Sequence, residues 1–200
     1  MQILLGLGNP GPDYAGHRHN IGFRCADHLA RRLRMKLRRS GDFWAAVGQF
    51  AGVPVVVAKS RTFMNRSGKA ARGLLEIHGE GVADLLVIHD DVELPLGTLR
   101  IKQGGGHGGH NGLRSIIQVT GSKDFIRIRL GVGRPVDRDD DLADWVLSDF
   151  REEERSAAAA LAEHGADAVE TVLIDGVAAA MNLHNIPRRR GERGTTDECV

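Results

Sequence analysis

Two hundred residues, 42% of them hydrophobic and only 4% aromatic, suit one folded domain with at most a tail. A formal net charge of +1 excludes any nucleic-acid argument from total charge, so such contacts must be argued from where the cations lie. Two distant cysteines, Cys25 and Cys199, argue against a disulfide framework and for a reducing cytoplasm, and no segment reads as a secretory leader or a membrane span.

In chain order, residues 3–7 are a short, mainly apolar run and predict a buried strand. Residues 20–34 place Ile21, Phe23, Cys25, Ala26, Leu29, Ala30 and Leu33 mostly at helical spacing. Residues 43–50 and 53–58 flank Gly52 and predict a hairpin. A helix is expected over 64–78, stopped by Gly79. Residues 85–89 form a continuous apolar run of the kind buried on both faces of a sheet. Residues 99–102 predict a strand, 111–119 a helix, and 125–132 a strand of alternating character. Two alanine-rich helices, 151–164 and 166–184, are expected to close the domain. Strands alternating with helices predict an α/β sandwich, and the hairpin makes its sheet mixed. From residue 186 the chain holds Pro, Arg, Gly, Thr and acids with little to bury, and predicts a disordered tail over 186–200.

Residues 104–109 contain five glycines around His107, and His110-Asn111 follows. So many glycines would weaken a strand or helix, because each loses unusual backbone entropy on ordering. Such a loop fits a backbone that turns tightly or lies close to a ligand. Gly6-Leu7-Gly8-Asn9-Pro10-Gly11 matches a dinucleotide fingerprint, but Pro10 to Asp13 intervene where the fingerprint needs a helix start. Gly68-Lys69-Ala70 likewise fails the phosphate-loop pattern.

Four polar clusters follow or interrupt apolar segments: Asn9 with Tyr14, His17, His19 and Asn20; Thr62 with Asn65 and Ser67; Asp90 with Asp91; and the glycine loop with His107, His110 and Asn111. Singly, each reads as turn or cap chemistry. Ligands collect at the carboxyl ends of sheet strands, so together they predict a site. His89, His107 and His110 offer metal ligands but lack cysteines or an HExxH pattern. No Gly-x-Ser-x-Gly elbow supports a serine nucleophile. A histidine, a carboxylate and neutral amides remain, the set for a base acting on water beside a carbonyl. The basic run Arg31 to Arg39 reads mostly as a solvated helix end. Lys102, Arg127, Arg129 and Arg134 flank the loop or alternate along a strand, and are candidates for binding phosphate.

Four blocks carry a resemblance. They are Gly6-Leu7-Gly8-Asn9-Pro10-Gly11 with Tyr14 and Arg18-His19-Asn20; Thr62-Phe63-Met64-Asn65 with Ser67-Gly68; His89-Asp90-Asp91 with Leu94-Pro95 and Gly97; and the run from Gly104 to Ser115. In this order, over residues 2–184, the chain resembles bacterial peptidyl-tRNA hydrolases. The resemblance implies one catalytic domain over residues 1–185, a three-layer α/β sandwich whose twisted mixed sheet is flanked by helices. It implies a monomeric, cytoplasmic esterase with no metal or cofactor, cleaving the ester between peptide and tRNA. The family's catalytic histidine falls on His19, the histidine of Arg-His-Asn, and its carboxylate on Asp90. The substrate-binding set falls on Asn9, Tyr14, Met64, Asn65, His110 and Asn111. Phosphate contacts to tRNA fall on Lys102 and Arg129, with Arg100 beside them. One position departs from the family: Ser60 stands where a proline is usual, so the turn before Thr62 lacks a fixed φ. The rival readings are a non-catalytic RNA-binding relative and a metal-dependent hydrolase.

Overall fold

In the computed structural model, residues 1–79, 81–135, 137 and 141–185 are described. Strand β1, Gln2–Gly6, is apolar on both faces because both are covered. Leu4 enters a core shared with helices α1 (Ile21–Arg32) and α5 (Glu152–His184), the latter preceded by the short helix α4 (Leu142–Val146). Ile3 and Leu5 enter the opposite core, with helices α2 (Ser67–His78) and α3 (Asn111–Thr120). The alternation of β-strand side chains thus builds three layers from one continuous run.

Five other strands, β2 (Arg38–Ser40), β3 (Phe43–Phe50), β4 (Val53–Ser60), β5 (Leu85–Asp91) and β6 (Leu99–Gln103), join with β7 (Ile126–Gly131) in one mixed sheet. Its order is β2-β3-β4-β1-β5-β7-β6. The centre is parallel: β1 pairs with β4 and β5, and β5 with β7. Antiparallel hairpins β2-β3-β4 and the β6-β7 pair close the two sides. The hairpin expected around Gly52 is thus β3-β4, with Phe50 opposite Val53.

Close approach of α1 to the sheet depends on Gly22. A Cβ there would lie 2.4 Å from the Ile88 carbonyl oxygen and 2.6 Å from that of Leu7. The start of α1 is thereby held against the carboxyl ends of β1 and β5.

Three expectations change. The break between the last two helices is displaced: the helical run is interrupted at Gly176 (φ 82), well past the expected break at 165. Gly165 stays helical because its missing side chain makes room: a Cβ would sit 2.9 Å from Cys25 Sγ and 3.1 Å from Leu130. The alternation of β7 does not separate a wet face from a dry one, since Arg127 is buried as well as its apolar neighbours. The turn after β4 is tied without proline: Ser60 Oγ accepts the Thr62 N–H at 3.2 Å and pairs with Thr62 Oγ1 at 2.9 Å. The expected tail, residues 186–200, lies outside the described residues. Among the described residues, no helix is long and apolar enough to cross a membrane.

Candidate active site

Residues Arg18–Asn20 form one turn of 3-10 helix between a loop and α1, and they are buried. Each neighbour of His19 anchors that turn. Arg18, 1% exposed, reaches Glu154 of α5 at 2.6 Å and lies 3.8 Å over the Trp145 ring. On the other side, Asn20 Oδ1 accepts the Asn9 N–H at 2.8 Å, and its Nδ2 donates to the Asn9 carbonyl at 2.9 Å. The histidine between them is therefore held through both of its chain neighbours, one tied to the last helix and the other to the loop after β1.

Asp90, near the end of β5 and 2% exposed, meets that histidine. His19 Nδ1 lies 2.7 Å from Asp90 Oδ1, and His110 Nε2 lies 3.0 Å from the same oxygen. His110 is also the N-cap of α3: its Nδ1 accepts the N–H of Gly112 at 3.1 Å and of Leu113 at 3.3 Å. An accepting Nδ1 carries no proton, so His110 donates to Asp90 through Nε2–H. His19 donates through Nδ1–H, and its Nε2 keeps the lone pair. Burial by itself would raise the Asp90 carboxyl. The electrostatic attraction of the His19 and His110 N–H groups and their hydrogen bonds outweigh it and hold the group well below the ordinary carboxylate range.

Beneath this pair lies a third imidazole. His89 sets its ring edge-on to that of His110, with centroids 4.8 Å apart, and its Nδ1 donates to the Asp90 carbonyl oxygen at 2.6 Å. Burial, reinforced by His110, pushes His89 down to about 3, so it is neutral at physiological pH.

The glycine loop is shaped from below by Arg127, which is 3% exposed. Its guanidinium donates to the carbonyls of Gly105 and Gly106, the latter at 2.6 Å. Gly104, Gly105, Gly108 and Gly109 all have positive φ (69, 98, 55 and 82), conformations that side chains other than glycine resist. The loop borders a cavity of about 410 Å³ whose lining includes His19, Asp90, Lys102, His110, Asn111 and Arg129.

Not every candidate lines that cavity. Asn9, 6% exposed, gives its Oδ1 to the Met64 N–H at 2.8 Å, so it ties the β1 loop to the turn bearing Asn65. Its Nδ2 donor has no partner among the described residues. Met64 is buried, whereas Asn65 and Asn111 are exposed, the latter as the first residue of α3. Tyr14 is half-buried and meets the ring edges of His17 at 5.3 Å and Phe63 at 5.9 Å. The candidates thus form two groups, one around Asp90 and one around Asn9, joined through Asn20.

The cation set separates too. Arg127 is spent on the loop carbonyls and Arg134 on Glu93. Arg129 Nε donates to Asp91 at 2.6 Å. Lys102 has no carboxylate partner among the described residues. Of these cations only Arg127 is buried beneath the loop, whereas Lys102, Arg129 and Arg134 line the cavity with at least part of the side chain exposed. For a metal, the three side chains grouped here are His19, Asp90 and His110, with ligand atoms within 4.8 Å of one another, and not the set His89, His107 and His110. The nitrogens that face Asp90 are occupied with hydrogen bonds at 2.7 and 3.0 Å.

Asn20 as a double clamp, Arg18 as a buried anchor and Arg127 as the floor of the loop were not assigned these roles from sequence. Arg18 and Asn20 flank the singled-out histidine, which is the one signal that marks them.

The model of one family, peptidyl-tRNA hydrolase, matches residues 3–193. The peptidyl-tRNA hydrolase of Syntrophotalea carbinolica is 44% identical over 186 residues, covering 92% of this chain and 97% of that protein. That of Rhodococcus jostii is 46% identical over 185 residues, covering 91% and 97%. A crystal structure of the Acinetobacter baumannii peptidyl-tRNA hydrolase superposes with a TM-score of 0.86 at 32% identity, covering 92% of this chain and 94% of that one.

Proposed function

This chain belongs to the peptidyl-tRNA hydrolase family, and from that membership we propose that it hydrolyses the ester between peptide and tRNA using a water activated by His19. The observation that carries the mechanism is the single Asp90 oxygen receiving both imidazoles, at 2.7 and 3.0 Å. This leaves His19 Nε2 as an oriented acceptor at a cavity wall. A water bound there gives its proton to Nε2 as its oxygen attacks the ester carbonyl. Asp90 stabilises the imidazolium without itself taking a proton. As the tetrahedral intermediate collapses, the ester C–O bond breaks and the imidazolium returns the proton to the departing ribose oxygen. The products are a peptide carboxylate and a tRNA with a free terminal hydroxyl.

The carboxamides of Asn65 and Asn111 are exposed donors for the peptide carbonyls and the developing oxyanion. One such donor is worth about 3 kcal/mol in related chemistry. Amides suit a peptide of arbitrary sequence, because they read its backbone and bring no charge to desolvate. Lys102 and Arg129, which line the cavity, are the proposed phosphate contacts, and the neighbouring group of Tyr14, Met64 and Asn9 is the proposed frame for the peptide side. The residues need no resident metal in this scheme. The test is release of tRNA from an N-blocked aminoacyl-tRNA, with and without excess chelator. Full activity in chelator and none in His19→Ala supports the reading; equal single-turnover rates for His19→Ala and the parent overturn it.

A further inference from the structure

At the other end of the molecule lies a second concavity, about 640 Å³, between the end of α1, the end of α2 and the edge strand β2. Arg34, Lys36, Arg38 and Arg39 line it with His78, and no carboxylate does so among the described residues. All four cations are exposed, and none is in an ion pair among the described residues. Elsewhere the chain pairs its cations readily: Arg18, Arg32, Lys59, Arg72, Arg129 and Arg134 each reach a carboxylate. In a chain of net charge +1, this groove is a local excess of positive charge.

Two ordinary roles explain part of it. Cations on an edge strand discourage pairing with another sheet, which covers Arg38 and Arg39. Cations near a helix end complement its dipole. Neither role requires Arg34 in its observed conformation. Arg34 occupies the residue after the helix cap with φ 52, while Met35 N–H bonds the Ala30 carbonyl at 2.8 Å. That is the position where glycine relieves left-handed strain, and here the chain carries an arginine instead.

We propose that this groove binds the phosphate backbone of a double-helical RNA segment distinct from the substrate's acceptor end. The class follows from the lining. Single strands are gripped by stacking bases on exposed rings, and neither ring here is exposed: Phe43 is 3% exposed and His78 is half-buried. Backbone-only recognition by cations is how duplex RNA is held. Distinctness follows from the topology. Lys102 lies on β6, at the opposite edge of the sheet, about 29 Å away over six strand spacings. His19 lies before the first residue of α1 and Arg34 beyond its last, about 18 Å along the axis. The choice of RNA among polyanions rests on the family reading above.

The experiment titrates the full chain into a labelled, blunt-ended RNA duplex that carries no ester, across a salt series. Lys36→Ser/Arg38→Ser/Arg39→Ser is expected to bind about tenfold more weakly and to lower the salt slope by about 2 to 3. Arg34→Gly is expected to weaken binding while melting at or above the parent temperature, which separates lost contact from lost folding. Both variants keep the parent's KM and kcat for peptidyl-tRNA. Unchanged duplex affinity in both variants, or a KM that rises in step with the loss of duplex binding, overturns the proposal. A parent that binds the duplex yet fails to turn over peptidyl-tRNA overturns the functional reading and leaves this one standing.

Discussion

Asn20 holds Asn9 at both backbone atoms, accepting its N–H at 2.8 Å and donating to its carbonyl at 2.9 Å. The side chain is 3% exposed and works like one rung of a sheet between a loop and the turn that carries His19. Asn9 passes the restraint on through its own Oδ1 to Met64. Asn20→Ala strands two buried backbone groups and is expected to destabilise the fold by about 2–4 kcal/mol. It should lower kcat as well, because His19 is the adjacent residue. Chemical denaturation beside steady-state kinetics checks this, and a variant as stable as the parent would show that the clamp is not needed.

His19→Ala should reduce kcat by about 100- to 10,000-fold, the range of a lost general base, while tRNA binding stays near parental. Asp90→Asn should cost a similar factor. The carboxamide oxygen introduced there can still accept from both rings, but it carries no negative charge to stabilise the imidazolium. Single-turnover rates with binding measured in parallel check both.

His110 has two jobs that substitution can separate. His110→Ala removes the cap of α3, costing about 1 kcal/mol, and also the second donor to Asp90. His110→Asn can still cap the helix but cannot reach the carboxylate in the same way. Stability should recover in His110→Asn while kcat stays low. Recovery of both would mean that capping is the residue's whole contribution.

Buried His89 predicts a pH effect on stability. Its folded value, about 3, lies below its ordinary 6.5, so between these values the unfolded chain takes up a proton that the native state refuses. Stability therefore falls as pH drops through that window, by up to about 1.4 kcal/mol per pH unit from this group. Asp90 acts in the same sense at lower pH: its folded value is depressed, so its contribution is present above the ordinary carboxylate value and is lost on further acidification. His89→Phe keeps a ring against His110 and removes one titration. Its melting temperature should fall less steeply with acid than the parent's, and parallel curves would refute the assignment.

Lys102→Ala is expected to raise KM for peptidyl-tRNA, to reduce the salt slope of binding by about 1, and to spare small ester substrates. Arg129→Ala should do the same with an added loss of stability, because it leaves Asp91 without its partner at 2.6 Å. If small esters suffer equally from the lysine change, Lys102 supports the active site and not the tRNA.

The strands and helices were largely legible because burial on both faces leaves continuous apolar runs, as in residues 85–89, and one-sided burial leaves helical spacing, as in 20–34. The break in the last helix was not, since Gly165 and Gly176 look alike in sequence. Only the first lies against Cys25 and Leu130 and only the second takes a positive φ. Within the site, residue types were legible and their bonding was not. Arg127 and Arg129 are equivalent cations by pattern, yet one supports the glycine loop and the other pairs with Asp91.

By itself the sequence determined the apolar periodicity, the glycine-rich loop at 104–109, and the short polar blocks that mark the family. These are local properties, written within a few residues of one another. Tertiary structure decided which nitrogen of His110 carries the proton, which cations remain unpaired, and that His19 meets a carboxylate 71 residues away. Hydrogen bonds act over about 3 Å, so those choices depend on the strand order that brings β1, β5 and β7 side by side, and no spacing along the chain encodes them.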